Sequence, residues 1–402
     1  MISDLQQIYS TNVKGMKKSQ IRELLKLIAD PSIISFAGGL PSPESFPVEE
    51  LKEVITDIME NEPHVALQYG ATEGDSLLRT LLVNRYKKDG FDISLENLMI
   101  TTASQQGLDL LSKVFVNRGD KVIVGLPSYL GGISAFNAYG ADMIGIPLDE
   151  DGMRPDILEE KMEALKKKGE KPKFIYVIPD FQNPTGITMP ESRRKKIIEI
   201  AKKYDVLIVE DSPYRELRFK GKSQKTFYAL DNTGQVITLG TFSKIFAPGF
   251  RIGWIIANEQ ILDKLITAKQ GTDLCTPPFT QRIAARYLEK GYLDKNIKKI
   301  IEMYKEKREL MLQHFEDYMP EGVSWTEPEG GLFLFLNLPE NMNADELFKK
   351  AVKEKVAFVI GSAFHFDGSG KNSMRINFSY SSKEKNLEGV KRLADVIKKE
   401  MN

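Results

Sequence analysis

Lys244 sits in Gly240-Thr241-Phe242-Ser243-Lys244, directly after the apolar run Gln235-Val236-Ile237-Thr238-Leu239. Arg251 follows inside Ala247-Pro248-Gly249-Phe250-Arg251-Ile252-Gly253-Trp254. An amine held just past a buried strand can form a Schiff base with an aldehyde. The hydroxyls of Thr241 and Ser243 and the guanidinium of Arg251 can hold a phosphate. Pyridoxal phosphate (PLP) carries both groups, so this stretch reads as a site for it. The remaining chemistry should then lie beyond the carboxyl ends of neighbouring strands, where open α/β sheets bind their ligands.

Three further stretches meet that condition. Thr101-Thr102-Ala103-Ser104-Gln105-Gln106-Gly107 joins a strand to a helix. Backbone N–H groups at such a helix start can bind a phosphate, although the same pattern also serves as an ordinary serine-capped turn. Pro179-Asp180-Phe181-Gln182-Asn183-Pro184-Thr185-Gly186 follows another strand. Asn-Pro and Thr-Gly are turn dipeptides, so a plain loop is one reading. In the other, Asn183 donates a hydrogen bond to the phenolate oxygen of the cofactor. Val206–Glu210 ends in Asp211, with Tyr214 close behind. A carboxylate there is either a helix cap or the partner of a protonated pyridine nitrogen. Its charge would favour the pyridinium, which makes the ring a better electron sink. Glu210 competes for this role, but neighbouring strand residues point to opposite faces, so only one of the two can reach the site.

The elements that must position these groups follow from the hydrophobic pattern. Leu98–Thr101, Lys121–Leu126, Lys173–Ile178, Val206–Glu210, Gln235–Leu239 and Gly253–Ala257 are short apolar runs rich in Val and Ile, as a sheet buried on both faces requires. Helices are expected at Ser19–Ala29, Ser76–Lys88 and Gln105–Phe115, and another opens at Thr188-Met189-Pro190-Glu191 with a possible capping box. The alternation predicts an α/β fold with a mostly parallel sheet. After about residue 290 the pattern changes to a long charged helix near Lys295–Phe315, strands at Gly331–Leu336 and Met374–Phe378, and helices at Asn343–Lys353 and Lys383–Lys399, which reads as a smaller α+β domain. The expected division is an N-terminal segment over residues 1–60 packing with the small domain, a large cofactor-binding domain over 61–290 and a small domain over 291–402.

The composition narrows the function classes. Lysine plus arginine and aspartate plus glutamate stand at 56 each, so the overall charge points to neither nucleic acid nor an anionic membrane. Cys275 is the only cysteine, which excludes an internal disulfide and suits a reducing cytoplasm. Three histidines supply little material for a metal cluster, and none is expected. No apolar stretch reaches the roughly 18 residues of a membrane span, and no basic-then-apolar leader opens the chain.

Taken together, these motifs resemble the fold-type I PLP-dependent aminotransferases of class I/II, and within them the subgroup of 2-aminoadipate and kynurenine/2-aminoadipate aminotransferases. The resemblance runs from about Ser19 to the C-terminus. It is carried by Phe36-Ala37-Gly38-Gly39-Leu40-Pro41, Gln68-Tyr69-Gly70, Gln182-Asn183-Pro184-Thr185-Gly186, Glu210-Asp211-Ser212-Pro213-Tyr214-Arg215-Glu216 and Phe242-Ser243-Lys244. It implies a seven-stranded, mostly parallel sheet in the large domain. It makes Lys244 the internal-aldimine lysine and the acid/base of the proton transfer, and Asp211 the partner of the pyridine nitrogen. Asn183 and Tyr214 would bond the phenolate oxygen. Tyr129 would stack on the ring, where the aspartate aminotransferase branch has a tryptophan. Ser104, Gln105, Ser243, Arg251 and Thr241 would hold the phosphate, with Tyr69 reaching the phosphate of the neighbouring subunit in a homodimer. Arg375 would clamp the substrate α-carboxylate; by local pattern alone it is equally a surface strand residue. Gly39 would leave room for substrate beside it.

The implied reaction is a ping-pong exchange of an amino group between an amino acid and a 2-oxo acid such as 2-oxoglutarate. Arg22, in a segment resembling the mobile N-terminal helix of the aminoadipate branch, would meet a side-chain carboxylate. That favours glutamate and 2-aminoadipate, while the apolar residues near Leu40 leave room for leucine or aromatic donors. Lyases, decarboxylases and synthases of fold type I share the lysine, aspartate and phosphate groups and remain an alternative. Aminotransferase-like transcription regulators are another, but they need a DNA-binding module of roughly 60–70 residues ahead of the domain, and here the match starts near residue 19.

Overall fold

The structure is a computed structural model that describes residues 7–16 and 30–401. The helix expected at Ser19–Ala29 lies outside the described residues. Among those described, no helix is long and apolar enough to cross a membrane.

One large sheet carries the strands β2 (Leu98–Thr101), β3 (Lys121–Leu126), β4 (Asp142–Asp149), β5 (Gly152–Met153), β6 (Phe174–Val177), β7 (Leu207–Asp211), β8 (Val236–Thr241) and β9 (Gly253–Ile256); β1 is the short strand Ile34–Ser35, which lies elsewhere. The order across the sheet is β2-β9-β8-β7-β6-β3-β4-β5. The β8-β7-β6-β3-β4 core is parallel, and β9 runs against both its neighbours. The expected seven strands are therefore present, and the two-residue β5 adds a small antiparallel hairpin to β4.

Strand residues alternate between the two faces, and each face buries its own set. Phe174, Tyr176, Val209, Ile237 and Leu239 pack with Leu108, Leu111, Phe136, Leu262 and Leu265 from the helices Ala103–Phe115, Leu130–Ala138 and Glu259–Asp273. Ile175, Val177, Ile208 and Val236 pack on the other side with Leu158, Met162, Ile197 and Ile198 from Pro155–Lys167 and Glu191–Tyr204. Covered on both faces, these strands have to be apolar throughout, which made them legible as short Val/Ile runs. β4, flanked on its outer side only by the two-residue β5, escaped that reading because Gly145 and Pro147 interrupt its pattern, and proline is tolerated where a strand has no outer partner.

A second sheet has the order β10-β11-β14-β13, with β10 (Ser324–Trp325), β11 (Phe333–Asn337), β13 (Val359–Ile360) and β14 (Ser373–Asn377) all antiparallel. The helix expected at Lys295–Phe315 spans Tyr292–Tyr318, and the C-terminal helix Lys383–Met401 packs against it. β1 pairs in parallel with β12 (Val356–Ala357), and Asn377 N–H donates to Phe36 O, so residues 34–36 join this second unit. The next helix, Val48–Asn61, instead packs on Pro278–Glu289, and Glu62 just beyond it pairs with Arg286 at 2.7 Å.

The capping box expected at Thr188–Glu191 is not formed. The helix begins at Glu191 with Pro190 in the cap position, so Glu191 is its first residue, too early to reach back to a Thr188 cap. Gln224 Oε1 accepts from Glu191 N–H instead. The turn before this helix is organised by Arg194, whose side chain is fully buried. Its guanidinium pairs with Asp180 at 2.8 Å and donates to the carbonyls of Pro179, Met189 and Lys225. This brackets the loop that carries Asn183. Removing one member of a buried pair leaves an uncompensated charge. Arg194→Met should therefore lower stability by about 3–5 kcal/mol in urea denaturation, whereas exposed pairs such as Lys52–Glu49 should register under about 1 kcal/mol.

Candidate active site

The parallel strands deliver their carboxyl ends to one edge of the large sheet. Ser104 follows β2, Tyr129 follows β3, Asn183 follows β6, Asp211 ends β7, and Lys244 lies just beyond β8. Because β9 is reversed, its beginning lies at the same edge. Thr101, Gly253 and Thr241 stand side by side in register, which brings Arg251 to the turns holding Ser104 and Ser243. A β-carbon on Gly253 would come within 2.6 Å of Ala103 C and Ser104 N, so only glycine lets the Ser104 turn sit this close.

Lys244 is half-buried, and its Nζ donates to Gly39 O at 2.8 Å. Burial first, then the charges of Arg375 and Arg251, pull its pKa down to about 8. Asp211 is buried on the face opposite to Glu210. Desolvation raises its pKa to about 6, opposed by the hydrogen bond from Tyr176. Tyr176 Oη donates to Asp211 Oδ2 at 2.8 Å, and among the described residues Oδ1 has no partner although it is buried. Glu210 is withdrawn from this site: it accepts from the N–H groups of Phe227 and Tyr228 and from Thr238 Oγ1. The alternatives left open by local pattern close here. Asp211 caps no helix, and Glu210 serves the core.

Asn183 and Tyr214 are both buried, and Asn183 Nδ2 lies 3.4 Å from Tyr214 Oη. Desolvation pushes the Tyr214 hydroxyl well above the ordinary phenol range. Asn183 Oδ1 accepts from Arg375 Nη1 at 2.8 Å, and Ala37 O accepts from Nη2 at 2.8 Å. Arg375 is a buried residue of β14 and not a surface arginine. Its guanidinium lies over the Phe333 ring at 4.1 Å and near that of Phe364 at 5.1 Å, and desolvation lowers its pKa to about 10. A β-carbon on Gly39 would stand 3.9 Å from Arg375 Nη2, so the glycine leaves open space beside the guanidinium.

The turn residues form a separate polar rim. Ser243 N–H donates to Thr241 Oγ1, which in turn donates to Ile252 O, so the Thr241 hydroxyl shapes the turn around Ser243. Gln105 donates to Gly131 O and accepts from Tyr129 Oη at 3.3 Å. Arg251 is exposed, with Nη1 near Pro248 O at 3.3 Å. Tyr69 is 81% exposed, the most open of the large apolar side chains. Arg22 lies outside the described residues. No group of three His, Cys, Asp or Glu suited to a metal occurs among the described residues.

Sequence reasoning missed Tyr176, Phe333 and Phe364. Tyr176 and Phe333 fall inside expected apolar strands and Phe364 in no expected element, and only strand register and packing bring them to Asp211 and Arg375. The donor set fits PLP: a half-buried amine of lowered pKa, a buried carboxylate with one oxygen unclaimed, and hydroxyl, N–H and guanidinium donors grouped at one turn cluster. In protein freed of cofactor and labelled with [6-¹³C]lysine, Lys244 should lose its proton as pH rises through about 8. A Lys244 titration at an ordinary lysine value near 10.4 would contradict this.

The comparisons with known proteins agree with the geometry. Residues 33–393 match the family model Aminotransferase class I and II. Aromatic-amino-acid aminotransferase 1 of Thermococcus litoralis is 50% identical over 400 residues, covering 99% of this chain and 96% of that protein. The crystal structure of Pyrococcus horikoshii kynurenine aminotransferase, in complex with PMP, KYN as substrates and KYA as products, superposes with a TM-score of 0.96 at 48% identity, covering 100% of both chains. LysN, the α-aminoadipate aminotransferase of Thermus thermophilus, complexed with N-(5'-phosphopyridoxyl)-L-leucine, superposes with a TM-score of 0.91 at 37% identity over 99% of both chains. Lys244, Asp211, Asn183, Tyr214 and Arg375 thus converge in a chain that belongs to the class I and II aminotransferases, enzymes dependent on pyridoxal phosphate.

Proposed function

We propose that this aminotransferase moves an amino group from glutamate, 2-aminoadipate and, more broadly, leucine or aromatic amino acids to a 2-oxo acid such as 2-oxoglutarate, in ping-pong order. The observation that carries the reading is the buried pairing of Arg375 with Asn183, which places a carboxylate-binding guanidinium beside the groups around Lys244. When bound, PLP supplies an electron sink for charge developing at the substrate α-carbon.

Each side chain has a part in that reading. Lys244, neutral above about pH 8, accepts the α-proton and returns it. Asp211 offers Oδ1 to the ring nitrogen, and Asn183 and Tyr214 address the phenolic oxygen. Ser104, Gln105, Ser243, Arg251 and Thr241 would hold the phosphate, and Tyr129 would stack on the ring. Arg375 takes the substrate α-carboxylate as a two-pronged clamp, with Gly39 leaving the space it needs. The strong exposure of Tyr69 supports its service to a partner's site, and with it a homodimer with shared active sites.

The relatives named above act on aromatic, kynurenine and aminoadipate substrates, which supports breadth. Arg22 is the candidate reader of a side-chain carboxylate. The same reading divides the chain near residues 60 and 290, supported by the separate sheets at 98–256 and 324–377. The single cysteine supports a reducing, cytoplasmic setting.

Two experiments address these assignments. The PLP-loaded protein should show a near-visible absorption band that shifts on adding glutamate, and Lys244→Ala should cut kcat by at least roughly 100- to 10,000-fold, the share acid–base catalysis alone supplies. A good band unmoved by any amino acid would instead indicate a lyase-type enzyme. Arg22→Ala should lower the kcat/KM ratio of glutamate to leucine about tenfold, the equivalent of ~1.4 kcal/mol. An unchanged ratio would remove Arg22 from substrate selection.

A further inference from the structure

Asp211 presents an asymmetric carboxylate. Oδ2 is held by Tyr176 Oη at 2.8 Å, while Oδ1 is buried and has no partner among the described residues. The arrangement follows from register. Tyr176 of β6 stands opposite Val209 of β7, and Asp211 lies two residues further along on the same face. The Tyr176 ring is then fixed from two sides. It meets Phe136 edge to face at 5.3 Å, and it fills the space a side chain at Gly132 would need, since a β-carbon there would lie 3.0 Å from Cε1 and 3.3 Å from Oη. Packed in this way, the phenol aims its hydroxyl at one oxygen of one carboxylate.

A tyrosine suits this position chemically. Desolvation, followed by the charge of Asp211, raises its hydroxyl well above the ordinary phenol range, so it stays protonated and remains a donor throughout the working pH range. A hydrogen bond donated to the charged form of an acid favours that form. Desolvation works against the Asp211 charge, and Tyr176 is the only side chain that hydrogen-bonds the carboxylate among the described residues.

We propose that Tyr176 is the positioning residue of the Asp211 pair: it occupies Oδ2, leaves Oδ1 as the single oxygen facing the cofactor's ring nitrogen, and keeps the proton of that pair on the nitrogen. The proposal rests on the assignment of Asp211 to the ring nitrogen made above. Its chemical content is proton placement. One proton is shared between the ring nitrogen and the carboxylate. Without the Tyr176 donor the carboxylate becomes more basic, and the proton moves from nitrogen toward Asp211.

The test uses the full protein, stripped of cofactor and reloaded with PLP carrying ¹⁵N in its ring. In wild type the ¹⁵N resonance should lie at the pyridinium position. In Tyr176→Phe, which removes one oxygen and keeps the packed ring, the resonance should move toward neutral pyridine. The dissociation constant for PLP should rise roughly tenfold, in line with the loss of one hydrogen bond to a charged group, and the far-UV circular dichroism should stay unchanged. Asp211→Asn serves as the reference for the parent assignment. If Asp211→Asn leaves the wild-type resonance in place, Asp211 does not face the nitrogen and that assignment fails. If Asp211→Asn moves the resonance and Tyr176→Phe does not, the role given to Tyr176 is overturned while Asp211 keeps its own, whatever happens to PLP affinity. A merely structural tyrosine would change stability or affinity without moving a proton.

Discussion

The buried guanidinium of Arg375 donates to Asn183 in the loop after β6 and to Ala37, and it lies over the Phe333 ring and near that of Phe364. Four stretches distant in sequence therefore converge on one side chain. Taking a cation out of water costs several kcal/mol even after relaxation, so this position is tolerable only with fixed acceptors and aromatic faces around it. The rest of the site depends on that contact. It joins the small antiparallel sheet to the edge of the large one, where the parallel strands end.

The electrostatics follow from what surrounds Arg375. Desolvation, then Arg375 and Arg251, lowers the proton affinity of Lys244, and Asp211 is a buried carboxylate whose charge desolvation opposes. Three basic groups and one acid, all at the carboxyl edge of the sheet, make a pocket prepared for anionic groups. Phosphate and carboxylates are the anions that PLP and amino acids bring. The same desolvation that makes the lysine a usable base makes the carboxylate reluctant to ionise, which is why the Tyr176 hydrogen bond matters.

Much of the fold was legible because burial on both faces leaves a strand no choice but Val, Ile, Leu and Phe. β2 and β3 fall where the pattern placed them, and β6 to β9 fall within two residues. The exceptions have physical causes. β4, flanked on its outer side only by the two-residue β5, has glycine and proline in it, and the helix after Thr188 begins later because Gln224, distant in sequence, satisfies the N–H that a local cap would have taken. At the site, Lys244, Asp211 and Asn183 were legible because each lies at or past the carboxyl end of a strand. Tyr176 and Phe333 were not, because an aromatic in an apolar run reads as core until a neighbour gives it another task, and Phe364 stands in a short turn with no periodic pattern.

The sequence by itself determined which strand ends carry an amine, a carboxylate, an amide and an arginine, since these depend only on local periodicity and turn residues. It also determined the family, through motifs spread over nearly the whole chain. Only the tertiary structure decided between Glu210 and Asp211, because that choice turns on which face of β7 looks toward the site. Tertiary structure alone also decided that Arg375 is buried and bound to Asn183, and that one oxygen of Asp211 is held while the other is unclaimed. Those outcomes depend on strand register and on packing between distant segments, and neither is encoded in the spacing of residues along a single element.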